Sequence, residues 1–315
     1  MRKSAQHIRR NARRVAAAAA CTLLVISAGC SRRPEARTFT APERAASALI
    51  DAVKSGKLEQ VMAIFGPGGQ ALVDSSDPAM ARRNQQVFSA AVAEKWRLEA
   101  DGPDKRTLVI GNEEWPFPIP IVKDGDVWRF DTDAGKEEIL ARRIGRNELA
   151  VIRACQTYVG AQHLYATGSH DGRAAGVYAA AFRSDPGKQN GLYWPTSHGE
   201  RPSPLGDLVA TAAAEGRPIG GAGSQPSPFH GYYFRILTGQ GSAARGGARS
   251  YVVNGDMSGG FALVAWPAQY DVTGVMTFIV NQDGTVSEKD LGPGTDQTVK
   301  AMTVYDPDPS WTAVQ

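Results

Sequence analysis

Between Thr40 and Glu94 the apolar residues recur at the three-to-four spacing of amphipathic helices, and beyond Lys95 the period drops to two. Ala45, Ala46, Leu49, Ile50 and Val53 define a first helix, with Thr40 as its cap, Pro42 in its first turn and Ser55-Gly56 as its stop. A second short helix covers Leu58 to Phe65 and ends at Gly66-Pro67-Gly68-Gly69. A third covers Pro78 to Glu94, with Val87, Ala91 and Lys95 along one line. Strands are predicted over residues 96–98, 106–110, 115–122 and 127–130, separated by Asp-Gly and Gly-Asn signals. The prolines of Trp115-Pro116-Phe117-Pro118-Ile119-Pro120 remove ladder donors, so that segment is expected at a sheet edge or as an extended polyproline-like stretch.

Asp133 is the expected cap of the next helix, whose acidic start at Glu137-Glu138 suits the positive end of the dipole and lets Glu138 reach Arg142 one turn on. Leu140, Ile144, Val151, Cys155, Tyr158, Val159 and Gln162 line one side up to about Tyr165, which makes this the longest helix. Residues 167–228 are irregular and rich in Gly and Pro, apart from a predicted helix over 204–215. Strands resume over 231–237, 250–253, 261–265 and 275–280, and Asn281-Gln282-Asp283-Gly284 turns the chain into a hairpin with 285–291. The expected class is α+β in two parts, residues 39–133 and 134–315.

Helices followed by a strand meander that closes on Asp126-Val127-Trp128-Arg129-Phe130-Asp131, with the phrase Leu58-Glu59-Gln60-Val61, resemble the cone of nuclear transport factor 2-like domains. That resemblance implies a curved sheet around a pocket, catalytic in some members and binding in many. The long helix, loop and C-terminal sheet are similar to the soluble part of pilins and pseudopilins, through Tyr232-Tyr233-Phe234-Arg235-Ile236 and residues 261–267 and 278–284. A pilin's polymerising apolar stem has no counterpart here, so the likeness implies a fold and no filament. The whole of residues 39–312 resembles the bacterial family catalogued as domain of unknown function 2950. The resemblance is carried by Trp115-Pro116-Phe117-Pro118-Ile119-Pro120, Trp128-Arg129-Phe130-Asp131-Thr132, Arg142-Arg143-Ile144-Gly145-Arg146-Asn147-Glu148-Leu149, Gly191-Leu192-Tyr193-Trp194-Pro195, His230-Gly231-Tyr232-Tyr233-Phe234, Gly274-Val275-Met276-Thr277-Phe278 and Tyr305-Asp306-Pro307-Asp308. It implies an exported, envelope-associated protein and no particular reaction. Members tend to carry an Asp-x-Asp-Gly loop after the long helix. The corresponding Gly168-Ser169-His170-Asp171-Gly172 has one carboxylate, far from the six or more oxygens calcium takes.

The first fourteen residues carry Arg2, Lys3, Arg9, Arg10, Arg13 and Arg14 without an acid, and the apolar run over 15–26 is too short to span a bilayer. Ile26-Ser27-Ala28-Gly29-Cys30 resembles the lipobox of bacterial lipoproteins, which implies cleavage after residue 29 and a diacylglyceryl group on Cys30. Residues 30–38 would form the tether, and Ser31 in place of aspartate favours the periplasmic face of the outer membrane. Loss of the leader turns the formal charge from +3 to about −3, so nucleic-acid binding is not expected. With Cys21 lost and Cys30 acylated, Cys155 stands alone and no internal disulfide is expected.

Chemistry is sparse. Gly255-Asp256-Met257-Ser258-Gly259-Gly260 resembles the nucleophile loop of chymotrypsin-like proteases, but Met257 separates acid from serine and the composition suits a tight turn. His163 and His170 would share a face only if the helix ran past Gly168; His198 and His230 are the other histidines of the mature chain. Cys155 lies on the apolar side as filler. Asp306 and Asp308, between Pro307 and Pro309, suit a C-terminal strap with local turns and Trp311 plugging the core, against a paired-carboxylate alternative. Arg142, Arg143 and Arg146 with Glu137, Glu138 and Glu148 form an ion-paired solvated face or a dock between the two parts.

Trp115, Phe117, Tyr193, Trp194, Tyr232 and Tyr233 stand beside Pro or Gly and are the candidate binding aromatics, with core as the competing role. No residue is assigned to catalysis, a cofactor or a metal. The expected function is a non-enzymatic envelope lipoprotein, held to the membrane by its N-terminal lipid, that binds a protein partner or a cell-surface polymer. The alternative is an enzyme or small-molecule carrier with a deep first-domain pocket, lined by convergent polar groups such as those of Glu113-Glu114-Trp115.

Overall fold

The computed structural model describes residues 36–69, 78–197, 199–200, 202–209 and 228–314. The leader, Cys21, Cys30, His198 and most of the helix expected over 204–215 lie outside them; residues 206–209 of that helix are helical. Helix α1 (Pro42–Lys54) begins at the proline, whose missing N–H a helix start does not use. The cap expected at Thr40 is not made: Ala41 occupies the cap position without a side-chain hydrogen bond. Helix α2 (Leu58–Phe65) stops at Gly66, which has φ 67° and would bring a Cβ within 2.7 Å of the Ala36 backbone. Helix α3 (Pro78–Glu94) turns Phe88, Ala91 and Val92 toward the core, while Val87, on the line drawn with Ala91 and Lys95, is 63% exposed.

Strands β1 (Trp96–Ala100), β2 (Lys105–Ile110), β3 (Trp115–Pro116), β4 (Ile121–Asp124) and β5 (Val127–Phe130) form an antiparallel sheet in the order β1-β2-β4-β5, with β3 also paired to β2. The single strand expected over 115–122 is therefore split. Val109 pairs with Pro116 and Arg106 with Ile121, so three steps along β2 face five along the proline segment. Prolines cannot donate to a ladder, and the excess arches away from the sheet over residues 117–120. Inside this unit Leu49, Ile50, Ile64, Phe65, Leu108, Ile110, Ile121 and Phe130 fill the space between helices and sheet, with Phe65 edge-on to Phe130 at 5.4 Å.

Helix α4 (Thr132–Ala166) has 35 residues and is capped by Asp131, whose carboxylate accepts from the Ala134 N–H at 3.2 Å. Asp133, the expected cap, instead pairs with Lys136 in solvent. Two features fasten the first turn to the first core: the Thr132 hydroxyl donates to the Phe65 carbonyl at 2.8 Å, and Gly135 lies against Ile119 with no room for a Cβ. The second half of the helix buries Val151, Ala154, Cys155, Tyr158, Ala161, Gln162 and Tyr165 in a second core. The buried Gln162 amide is satisfied on both sides, donating to the Ala179 carbonyl at 2.8 Å and accepting from its N–H at 2.9 Å.

That second core lies on a sheet of β6 (Tyr232–Leu237), β11 (Ala262–Pro267), β12 (Met276–Asn281), β13 (Ser287–Asp290) and β14 (Thr312–Ala313), antiparallel in the order β14-β13-β12-β11-β6. Between β6 and β11 run two small hairpins, β7 (Gly239–Gln240) with β8 (Arg249–Ser250), and β9 (Val252–Val253) with β10 (Asp256–Met257). The strand expected over 250–253 is thus shared between two ladders. Every residue of β11 is buried because α4 covers one side and α5 (Thr295–Ala301) the other, which accounts for its unbroken apolar run. Arg235 closes the end of α5 by donating to the Val299, Lys300 and Met302 carbonyls. Helices with antiparallel sheets, none of them closed into a barrel among the described residues, make the chain α+β.

Midway along α4, Glu148 departs from the solvated, ion-paired face assigned to it. One carboxylate oxygen accepts from the Val275 N–H at 2.9 Å, the Met276 N–H at 3.0 Å and the Tyr232 hydroxyl at 3.2 Å. Asn147 donates to the Thr273 carbonyl at 2.8 Å beside it. Glu148→Ala leaves two backbone donors without their acceptor, while the Tyr232 hydroxyl keeps the Met276 carbonyl at 3.0 Å. It is expected to cost about 1–3 kcal/mol in denaturant unfolding, with Glu148→Gln recovering part of the loss.

Glu288 lies near this carboxylate, and burial together with the Glu148 charge pushes its own carboxyl above the ordinary range. A raised folded-state pKa means stability that is complete in acid and lost as pH rises through the folded value. Glu288→Gln should therefore raise the melting temperature at neutral pH, with the gain shrinking as the pH falls through the carboxylate range.

Candidate functional site

The arch over residues 117–120 stands off β2, and the first turns of α4 run alongside it. Between them lies an open groove of about 490 Å³, lined in part by Lys105, Thr107, Phe117, Glu137, Glu138 and Arg142. Its geometry follows from the register mismatch, since the two surplus residues carry Pro118 and Pro120 away from the ladder. Backbone bonds fix both ends of the arch: the Phe117 N–H donates to the Leu108 carbonyl at 2.7 Å, and the Asp131 N–H to the Pro120 carbonyl at 2.8 Å.

Arg142 joins the walls. Its Nε pairs with Glu138 Oε1 at 2.7 Å, its Nη1 donates to the Pro116 carbonyl at 2.7 Å, and its guanidinium lies over the Trp115 ring at 5.5 Å. Trp115 is 46% exposed on the rim, edge-on to Phe117 at 6.2 Å. Phe117 in turn meets Phe88 and Phe130, so the rim indole is propped from the core. Lys105 is held by Asp101 at 2.7 Å, and that hydrogen bond and charge keep the Asp101 carboxyl below its ordinary range. Of the two roles considered for the arginine and glutamate cluster, Arg142 thus combines the ion pair with a dock onto the first sheet.

The convergent set expected from Glu113-Glu114-Trp115 does not form. Glu114, at φ 56°, turns to Lys95 and Arg97, whose hydrogen bond and charges lower its carboxyl, and Trp115 stands beside the groove without lining it. The inside of the first unit, where a cone would hold its pocket, is packed with apolar side chains.

The six candidate aromatics do not share a surface. Phe117 lines the groove, and Trp115 stands beside it against Phe117 and Arg142. Trp194 joins a cluster in which Tyr165 stacks on His170 at 4.0 Å, and Tyr193 lies under Arg183. Tyr232 is wholly buried and bonded to Glu148, and Tyr233 packs on Trp266 at 5.7 Å. The histidine pair is also separated, because α4 ends at Ala166. His163 packs on Phe261 and Tyr178, while His170 turns back to bond the Tyr165 carbonyl and Gln189.

Other candidate groups are engaged locally. Burial pushes the Cys155 thiol up to about 12, which keeps it protonated at neutral pH. Asp256 pairs with Arg173 at 2.8 Å, and the turn beside it is made one step earlier, by Asn254 and Gly255 at φ 54° and 86°. Asp171 accepts from the Gln189 N–H, Asp306 from the Ala243 N–H and Asp308 from the Ser310 N–H. Trp311 is half-buried at the edge of the second core under Lys289, so it covers the core without filling it. Among the described residues no three His, Cys, Asp or Glu side chains gather as a metal set, and no helix is long and apolar enough to cross a membrane.

The class defined by these features is an α+β protein whose two cores share one helix, with a groove where that helix leaves the first core. A family model described as protein of unknown function (DUF2950) matches residues 36–314, and the chain belongs to that family. No curated protein and no solved structure matches it. The likenesses to nuclear transport factor 2-like domains and to pilins therefore carry no further argument here.

Arg142→Ala removes an ion pair, a backbone bond and the face of Trp115 together. Because these groups are partly solvated, the expected loss of stability is about 1 kcal/mol, with a red shift of the indole emission as Trp115 loosens.

Proposed function

We propose that this chain is a lipid-anchored protein of the bacterial envelope that uses the groove beside Trp115 to bind another envelope protein or a cell-surface polymer. The observation that carries the binding role is the indole itself: a large aromatic left almost half in water, yet held in one orientation by Arg142 and Phe117. Pre-fixed Trp and Arg side chains are what interface hot spots are made of, because little side-chain freedom is lost when they are covered. The groove opens to solvent and encloses little, so it suits a chain-like ligand or a protruding edge better than a small molecule that must be enclosed. The enzyme or carrier alternative drew on a pocket inside the first unit, and that volume is taken up by Leu49, Ile64, Phe65, Leu108 and Phe130.

The anchor is supported by the basic leader and by Ile26-Ser27-Ala28-Gly29-Cys30, and Ser31 in place of aspartate favours the periplasmic face of the outer membrane in a two-membrane cell. A mature charge of about −3 gives no basic surplus that would favour nucleic acid.

Two experiments test the two halves of the proposal. Cys30→Ala should move the protein from the membrane pellet to the soluble fraction and abolish incorporation of labelled fatty acid; retention in the pellet would refute the anchor. Pull-down from solubilised envelopes should recover a reproducible component with the parent chain and lose it, by roughly tenfold or more, with Trp115→Ala. Equal recovery by the two proteins would remove the groove from the binding role.

A further inference from the structure

The charges around the groove cancel with one exception. Lys105 is held by Asp101 at 2.7 Å, Arg142 by Glu138 at 2.7 Å, and Lys136 on the neighbouring turn by Asp133 at 3.0 Å. Glu137 lines the same groove and is exposed, and among the described residues no hydrogen bond or ion pair reaches its carboxylate. With α4 beginning at Thr132, Glu137 stands in the second turn, past the stretch over which the helix dipole favours an acid. Neither the helix nor a cation of the described chain accounts for the charge.

The rest of the lining narrows what could meet it. Phe117, Pro118, Pro120, Ala134 and Ala141 are apolar, and Thr107 carries the only hydroxyl of the lining residues. The polar backbone of the arch is largely spent. Pro118 and Pro120 have no N–H, the Phe117 N–H donates to the Leu108 carbonyl, and the Pro116 and Pro120 carbonyls accept from Arg142 and the Asp131 N–H. A glycan carries a hydroxyl on most of its carbons, and each one that leaves water for such a surface without a partner costs free energy. An apolar side chain loses nothing there, and a cation next to it finds Glu137. Lysine and arginine add an apolar stem of their own beneath the charge.

We infer that the groove takes an extended peptide segment in which a lysine or arginine lies next to an apolar side chain, the apolar group against Phe117 and the prolines and the cation on Glu137. This rests on the reading of the groove as a binding site, and of the two partner classes given for it selects protein over cell-surface polymer.

The test titrates the purified full chain into fluorescein-labelled heptapeptides with lysine, glutamine or glutamate between two leucines in a Gly-Ser background, read by anisotropy at low ionic strength. A labelled tetramer of N-acetylglucosamine is the glycan probe. Because Glu137 is exposed and unpaired among the described residues, Glu137→Gln and Glu137→Lys should keep the parent circular dichroism and melting curve. The lysine peptide is expected to bind roughly threefold to fivefold tighter than the glutamine peptide, with the glutamate peptide weakest. Glu137→Gln should erase that order and Glu137→Lys should invert it. Equal binding of the three peptides, an unchanged order in Glu137→Gln, tighter binding of the tetramer, or no binding of the lysine peptide would each overturn the inference. If Trp115→Ala still loses the envelope component in those cases, the groove keeps its binding role and the peptide assignment alone falls. Equal recovery of that component by the parent and Trp115→Ala would remove the groove as well.

Discussion

A helix of 35 residues does not by its own propensity hold two sheets in place, because most of a helix's stability in a protein comes from the faces it buries. Helix α4 buries its start in one core and its end in another. Between them the chain from about Lys136 to Leu149 has no fully buried side chain. What fixes that middle is polar: Arg142 reaches back to the Pro116 carbonyl and Trp115, while Glu148 and Asn147 reach forward to the backbone of residues 273–276. The Glu148 contact is the most demanding of these. Two backbone N–H groups converge on one carboxylate oxygen beside the Tyr232 hydroxyl, and leaving them unmet would cost more than the pairing gains.

The groove depends on the same arrangement from the other side. Its floor and one wall come from β2 and the proline arch, but the second wall is the exposed first half of α4. A helix free to swing there would open and close the groove at little cost in apolar contact. Arg142 restrains it with directional bonds, and in doing so sets the orientation of Trp115. The rigidity of the rim and the relation between the two cores are therefore one property of the helix, seen at its two ends.

How much of this was legible in sequence follows from the range of each determinant. The helices and strands are local patterns, and most of their positions could be read directly; so could the lipobox, which is a matter of adjacent residues. The caps could not. Asp131 and Asp133 are equivalent acids two residues apart, and the choice between them is made by the bond from Thr132 to Phe65, 67 residues away. Glu148 looks like one more charge among Arg142, Arg143 and Arg146, because its partners are backbone N–H groups that leave no mark on side-chain identity. The prolines announced an interrupted ladder, but a groove needs the surplus in register between Val109 and Arg106, and register is a property of the pair of strands. Tyr232 shows the converse limit: an aromatic beside glycine can be exposed or buried, and Gly231 and Gly274 are there to clear its ring and the Asn147 contact.

The three glycines of α4 carry this distinction furthest. In sequence they are alike, each a weak point in a long helix. In the structure Gly135 is explained by Ile119, so the cost of placing it is offset by the close approach of helix and arch. Gly145 and Gly160 weaken the helix with no such return inside the chain, on the face where Leu149 and Leu164 stand in water. A helix whose first half has little apolar burial has small tolerance for cost without compensation.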